Sequence, residues 1–274
     1  MKTLTKKHIK SLIKKRESSS NKNDYGHALL IAGNRGKMGA AVISARACLR
    51  SGSGLLTVCV PEQERFILQT AIPEAMLKMR ENNIDDINQF SAIGIGPGIG
   101  VDAVSEKMLI NFITNSKKPL LLDADVFTIL STHKKLLNKV PQNSIITPHH
   151  REFDRLFGSH SNNEDRINTA IKKANEYGII IVLKNNITTI ISANKIFYNT
   201  TGNAGLAKGG SGDALTGIIT SFLAQGYAPL TAAKLGVYLH GLAADITLKK
   251  QSMESMLITD VIENLGEAFK KISD

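Results

Sequence analysis

The chain has 274 residues, a formal net charge of +10, 42% hydrophobic residues, two cysteines and no tryptophan. That length suits one large α/β domain or two small ones, and with no apolar run of roughly eighteen residues a helical membrane span is excluded. Cys48 and Cys59 lack CxxC spacing, so they form neither a disulfide framework nor a zinc site, and are expected as buried, reduced thiols of a cytoplasmic protein.

Residues 1–24 read as an amphipathic, lysine-bearing leader. It lacks the apolar core and small-residue cleavage pattern of a secretory signal and ends in the polar loop Glu17–Asp24. Beyond it, His27–Ala32, Gly54–Val60, Ser91–Ile95, Leu120–Leu122, Ser144–Thr147 and Ile179–Leu183 are apolar runs of strand length separated by helical segments. Runs apolar on both faces predict parallel strands covered by helices on both sides, an α/β fold. Past about residue 200 the pattern turns helical. Leu215, Ile218, Ile219, Phe222 and Leu223 form one stripe, Leu235, Leu239, Leu242 and Ile246 a second, and Val261, Leu265 and Phe269 a third. No linker or repeat divides the chain, so residues 25–274 read as one domain.

Three glycine-rich segments carry the functional signal. GNRGKMGAA (33–41) follows the first run and has GxxGxxG spacing, which does not match the GxGxxG of a dinucleotide fold. GIGPGIG (94–100) also misses that pattern, because Ile99 stands where the third glycine belongs; it puts exposed backbone at the carboxyl end of a strand, where open α/β sheets bind ligands. NAGLAKGGSGD (203–213) opens a helix with consecutive glycines, whose free N–H groups and helix dipole make an anion hole. Asp213 is the anomaly there: a carboxylate beside a phosphate site repels the ligand unless it serves as a base toward an attacking hydroxyl. A plain helix cap is the alternative reading of the same residue.

The anion hole with its Asp resembles the ribokinase-like fold, and the whole set of motifs is similar to the ADP-dependent (S)-NAD(P)H-hydrate dehydratase family within it. The resemblance runs from residue 25 onward through the segments 27–61, PEAM (73–76), 92–100, LLDADVF (121–127), ITPHHREFDRLFG (146–158), LKNNITTI (183–190) and 203–217. It implies a central, mostly parallel sheet with helices on both faces. It also implies a hydro-lyase that uses ADP, with Mg²⁺ on the phosphates, to restore NADH or NADPH from the S epimer of the hydrated cofactor, releasing AMP and phosphate. Family members are homotetramers that depend on an epimerase; with no residues left over for that activity, a separate epimerase is expected.

Carried over residue by residue, the resemblance makes Asp213 the base and puts Gly212 at the nucleotide phosphates. Ala40, Gly98 and His149 join Asp213 around the hydrate, and Lys184, Asn185, Asn186, Ile187 and Thr188 form the nucleotide segment. Two departures stand out. His150 replaces a proline beside His149, and Asn185 replaces a glycine; Asn is the non-glycine residue that best tolerates a left-handed backbone, so the turn is expected to survive. Glu152 has either a loop-stabilising role or an indirect metal contact. Asp123 either orders substrate or a water-bound metal, or is a strand-end turn residue. No residue is assigned as a direct metal ligand, and His27, His133 and His240 are read as structural or surface residues.

Two other functions compete. A kinase for a vitamin precursor or sugar would use the same anion hole and base. A nucleic-acid-binding module would suit the sequence pI of about 9.5, but the lysines are scattered and aromatics are only 5%. The charge is as well explained by phosphorylated small molecules, here two anionic nucleotides at once.

Overall fold

The structure, a computed structural model, describes residues 2–82 and 86–273. Among the described residues one sheet contains β1 (Lys2–Thr3), β2 (His27–Ile31), β3 (Leu55–Val60), β4 (Met76–Met79), β5 (Ala92–Ile95), β6 (Leu120–Leu122), β7 (Ile145–Ile146), β8 (Ile180–Leu183), β9 (Thr188–Ser192) and β10 (Lys195–Asn199). Their spatial order is β1-β10-β9-β8-β7-β6-β5-β2-β3-β4, and only β9 runs antiparallel to its neighbours. The fold is therefore the expected mostly parallel, helix-covered sheet.

Alternation along the strands sorts the core into two layers. Leu29 and Ile31 of β2 join Phe112, Phe127 and Phe153 on one face, while Ala28 and Leu30 join Ile218, Phe222 and Leu239 on the other. Burial of apolar surface on both faces explains why β5, β6, β7 and β8 are apolar throughout. Among the strands that the apolar runs did not reveal, β4 has no buried residue and β10 alternates partly. The short β1 extends the sheet by pairing with β10, and the helix Lys6–Lys10 that follows it buries Ile9.

The C-terminal helices depart from the stripes in two ways. Helix Ser211–Ala224 is buried on every side from Ala214 to Ala224, including Thr216, Thr220 and Ser221, because it is wedged between the sheet and neighbouring helices. At Gly217 a Cβ would lie 2.1 Å from the Ser44 carbonyl oxygen of helix Met38–Arg50, so only glycine permits that approach. The third stripe is divided into helices Ile258–Glu263 and Leu265–Ser273 at Asn264, whose buried amide donates to Thr247 Oγ1 at 3.0 Å.

Both thiols are buried and unpaired, and burial pushes Cys48 up to about 12 and Cys59 up to about 11. No helix among the described residues is long and apolar enough to cross a membrane. From β2 the chain moves one way to β3 and β4, then returns to the other side of β2 as β5. That reversal creates a switch point between the carboxyl ends of β2 and β5, where open α/β sheets accept ligands.

Candidate active site

At the switch point the first two glycine segments meet. Gly33 N–H donates to Pro97 O at 2.8 Å and Gly96 N–H to Ile31 O at 3.1 Å, which locks the two loops side by side. Gly98 has φ +62°, and a Cβ there would lie 3.0 Å from the Ala40 Cβ and 3.2 Å from the Lys37 Cβ. Ala40 and Gly98, far apart in the chain, thus line one wall together, and their small size keeps that wall open.

Beside it, β6 is followed by Asp123, which is 1% exposed. Its Oδ1 accepts from Thr147 Oγ1 at 2.7 Å and from Lys184 Nζ at 2.9 Å, and its Oδ2 from Thr216 Oγ1 at 2.9 Å. Four separate segments are tied together by this carboxylate. Buried and accepting three hydrogen bonds, Asp123 anchors the strand-end turn electrostatically. The next residue, Ala124, has φ +51°, a strained conformation for a residue with a side chain and one that clusters at functional sites. That kink presents Asp125, whose Oδ2 accepts from Gly100 N–H at 2.9 Å and lies 3.6 Å from Lys37 Nζ.

Asp213 occupies the first turn of helix Ser211–Ala224, whose N-cap is Gly210 with φ +92°. The N–H groups of a helix's first turn have no intrahelical acceptors, so those of Gly212 and Asp213 point out of the helix into the site. A Cβ on Gly212 would lie 3.2 Å from Lys184 Nζ and 3.4 Å from Asp123 Oδ2, which puts the anion hole directly against the Lys184–Asp123 pair. Burial, then the negative charge of Asp123, pushes the Asp213 carboxyl up to about 6, although Lys184 pulls the other way. A base needs affinity for a proton near working pH, and this environment supplies it. Burial alone would push the Lys184 ammonium down, but Asp123 and Glu152 outweigh it and hold it above its ordinary value.

His149 caps helix His150–Phe157 in a reciprocal box: its Nδ1 accepts from Glu152 N–H at 3.2 Å, and Glu152 Oε2 accepts from His149 N–H at 2.8 Å. Burial and the nearby Lys184 hold the imidazole below its ordinary pKa, hence neutral. With Nδ1 accepting, the proton sits on Nε2. Glu152 thus has the loop-stabilising role and also lies 3.9 Å from Lys184 Nζ. His150 turns away; its Nε2 is buried without a partner.

The nucleotide segment is only partly brought into this cluster. Lys184 belongs to it, while Asn185, Asn186 and Ile187 make the tip of the β8–β9 hairpin and Thr188 begins β9. There Asn186 N–H donates to Asn185 Oδ1 at 2.8 Å and Ile187 N–H to Asn186 Oδ1 at 2.9 Å, so side-chain amides satisfy the turn. Asn185 is not among the residues with positive φ, so no left-handed backbone needs tolerating; the glycine it replaces is not required by this turn. Thr147 and Thr216, which hold Asp123, were not singled out from sequence. Their only signal is membership in the quoted segments 146–158 and 203–217, because a hydroxyl's partner is set by tertiary contact.

Of the histidines read as structural, His27 Nε2 bonds Thr57 Oγ1 at 2.8 Å, His133 lies 3.1 Å from Glu106, and His240 is buried and pushed down to about 4 by burial. No group of three or more His, Cys, Asp or Glu among the described residues is arranged to hold a metal by itself. Mg²⁺ typically keeps several waters and binds through phosphates with one or two carboxylates, and the site offers that much in Asp125 and Asp213.

Residues 28–267 match the family model described as NAD(P)H-hydrate dehydratase. The ADP-dependent (S)-NAD(P)H-hydrate dehydratase of Enterococcus faecalis is 35% identical over 276 residues, covering 99% of this chain and 94% of that protein. The crystal structure of a ribokinase-like superfamily protein from the same organism superposes with a TM-score of 0.90 at 33% identity, over 99% of this chain and 96% of that one. The Bacillus subtilis ADP/ATP-dependent NAD(P)H-hydrate dehydratase, co-crystallised with ATP and Mg²⁺, gives a TM-score of 0.87 at 29% identity over 99% and 98% of the two chains. The chain spans about half the length of the bifunctional repair enzymes that it also matches.

Proposed function

The chain belongs to the NAD(P)H-hydrate dehydratase family, a family of ADP-dependent hydro-lyases acting on the S epimer of the hydrated cofactor, and from that premise we propose how its own residues perform the reaction. The observation that carries the proposal is the position of Asp213: a half-buried carboxylate with its affinity for protons raised, in the first turn of a helix beside Gly212, where the N–H groups lack intrahelical acceptors.

Asp213 takes the proton of the hydrate's ring hydroxyl as that oxygen attacks the terminal phosphoryl group of ADP. The bond from that phosphorus to the bridging oxygen breaks and AMP departs. The N–H groups of Gly212 and Asp213 and the ammonium of Lys184 stabilise charge on the transferred group. The ring C–O bond then breaks with phosphate as the leaving group. Loss of the proton from the adjacent ring carbon restores the dihydropyridine, so the elements of water end in the phosphate. Hydroxide leaves far less readily, which is why the elimination is coupled to ADP.

Ala40 and Gly98 leave room for the nicotinamide riboside portion, and His149 donates from Nε2 to the substrate. The hairpin from Lys184 to Thr188 flanks the nucleotide. Mg²⁺ would come with the ADP phosphates, where Asp125 and Asp213 could hold its water shell, and it would supply neutralisation of phosphate charge. On the family resemblance alone, the chain is proposed to work in the cytoplasm as a homotetramer supplied with the S epimer by a separate epimerase; sedimentation gives the assembly state directly.

Incubating hydrated NADH with ADP, Mg²⁺ and the protein should restore absorbance at the reduced-nicotinamide band, with one AMP formed per turnover. Asp213→Asn should bind ADP yet lose turnover. Accumulation of a stable phosphorylated alcohol without recovery of that band would mean a kinase instead.

A further inference from the structure

A cavity of about 520 Å³ opens at the sheet edge made by β1 and β10, and shares no residue with the site described above. Its lining includes Lys2, Thr3, His8, Lys195, Phe197 and Lys234, and contains no carboxylate. Lys234 comes from helix Pro229–Thr247 and is only 8% exposed. Its ammonium sits 3.6 Å from the Phe197 ring centroid. It has no hydrogen bond or ion pair with any described residue. Across the cavity, His8 Nε2 is buried with no partner.

Like charges gathered around a largely buried lysine repel one another. A cation on a largely buried side chain, with like charges beside it, is stabilised by an anion or several hydrogen-bond acceptors. A cation–π contact recovers only part of that. Here the neighbours worsen the imbalance: burial, then Lys195 and Lys2, hold the Lys234 ammonium below its ordinary pKa, and burial, Lys234 and Lys2 do the same to His8. The Lys234 ammonium lacks an acceptor, and the charged side chains among the cavity's lining are all lysines.

We propose that this cavity binds a phosphate-class dianion, either inorganic phosphate or the phosphoryl group of a small phosphorylated metabolite. Its oxygens point in several directions, so one group can accept from Lys234, Lys195, Lys2 and the His8 and Thr3 side chains together. A carboxylate is planar and carries one charge, which leaves the cluster under-compensated. The cavity volume leaves space behind the phosphoryl group for a nucleoside-sized body.

The test is site-resolved lysine acylation read by mass spectrometry, in chloride, inorganic phosphate or AMP at matched ionic strength. With phosphate at ten times its dissociation constant, labelling of Lys2 and Lys195 should slow about tenfold by mass action, while the distant Lys117 is unaffected. Protection by phosphate alone identifies the free anion as occupant; protection only by AMP identifies a nucleotide. Lys234→Met, which keeps the buried stem and removes the charge, should abolish the protection and leave the KM for ADP unchanged. Should that variant not fold, Lys195→Met, at an exposed position, should shift the protection to higher phosphate concentrations. Equal labelling in all three salts overturns the proposal. So does protection in chloride that rises with protein concentration, since a second copy of the chain would then be filling the cavity.

Discussion

The Lys184 ammonium lies 2.9 Å from Oδ1 of Asp123, and the carboxylate is almost fully buried, so each charge depends on the other. The pair joins the carboxyl ends of β8 and β6 immediately beside Gly212. Breaking a buried pair by removing one charge leaves the other uncompensated. Asp123→Asn is expected to destabilise the protein by about 3–5 kcal/mol, measured by denaturant titration. It also removes the anion that raises the Asp213 pKa, so the acid limb of kcat/KM should move to lower pH.

With its carboxyl pushed up to about 6, Asp213 is unprotonated only above that pH, so kcat/KM should fall as pH drops through about 6. The sign for stability is opposite. A carboxyl whose pKa is higher in the folded state than its ordinary 3.8 stabilises the fold below about pH 4 and loses that contribution as pH rises through about 6. At neutral pH the charge is therefore a cost, of the order of 1–3 kcal/mol. Asp213→Asn should raise the melting temperature at pH 8 while lowering turnover by about 10²–10⁴; an unchanged kcat would remove Asp213 from the mechanism.

Gly98→Ala tests the wall shared with Ala40. The added methyl would sit in a left-handed conformation, costing about 1–2 kcal/mol, and 3.0 Å from the Ala40 Cβ. The KM for hydrated cofactor should rise with the KM for ADP unchanged. Steady-state kinetics with each substrate varied in turn separates the two.

Gly212→Val addresses the other ligand. Its side chain would enter the space between Lys184 Nζ and Asp123 Oδ2, 3.2 and 3.4 Å from where the Cβ falls. The affinity for ADP, read by calorimetry, should collapse. Unchanged affinity would move the anion hole elsewhere.

The adjacent histidines separate by variant. His149→Ala loses a helix cap, about 1 kcal/mol, as well as the proposed substrate contact. His149→Asn keeps a good capping side chain but lacks the imidazole, so it should recover stability and still show a raised KM for the hydrate. His150→Ala should change neither substrate's KM, because its ring turns into the protein.

Much of this was legible beforehand. The apolar runs located the central strands because a strand buried on both faces must be apolar throughout, and the glycine segments located the ligand edge because close backbone approach excludes side chains. The edge strands escaped, since half-exposed or very short segments carry little pattern. Helix Ser211–Ala224 read as one-sided although it is buried all round; its small polar residues bury cheaply by bonding back to the helix, as Thr220 does to the Thr216 carbonyl. Asn185 has no left-handed backbone to tolerate, because backbone dihedrals follow from the whole hairpin.

By itself, then, the sequence determined the layer architecture, the ordering of motifs and the residue types at the site, all of which are set by local chemistry and periodicity. Only the tertiary structure decided which charges meet. That Asp123 is held by Thr147, Thr216 and Lys184, that Asp213 is left half-buried and proton-hungry, and that Lys234 and the partnerless His8 Nε2 line one cavity all depend on distance and burial. Electrostatic energies scale with both, and neither is written along a one-dimensional chain.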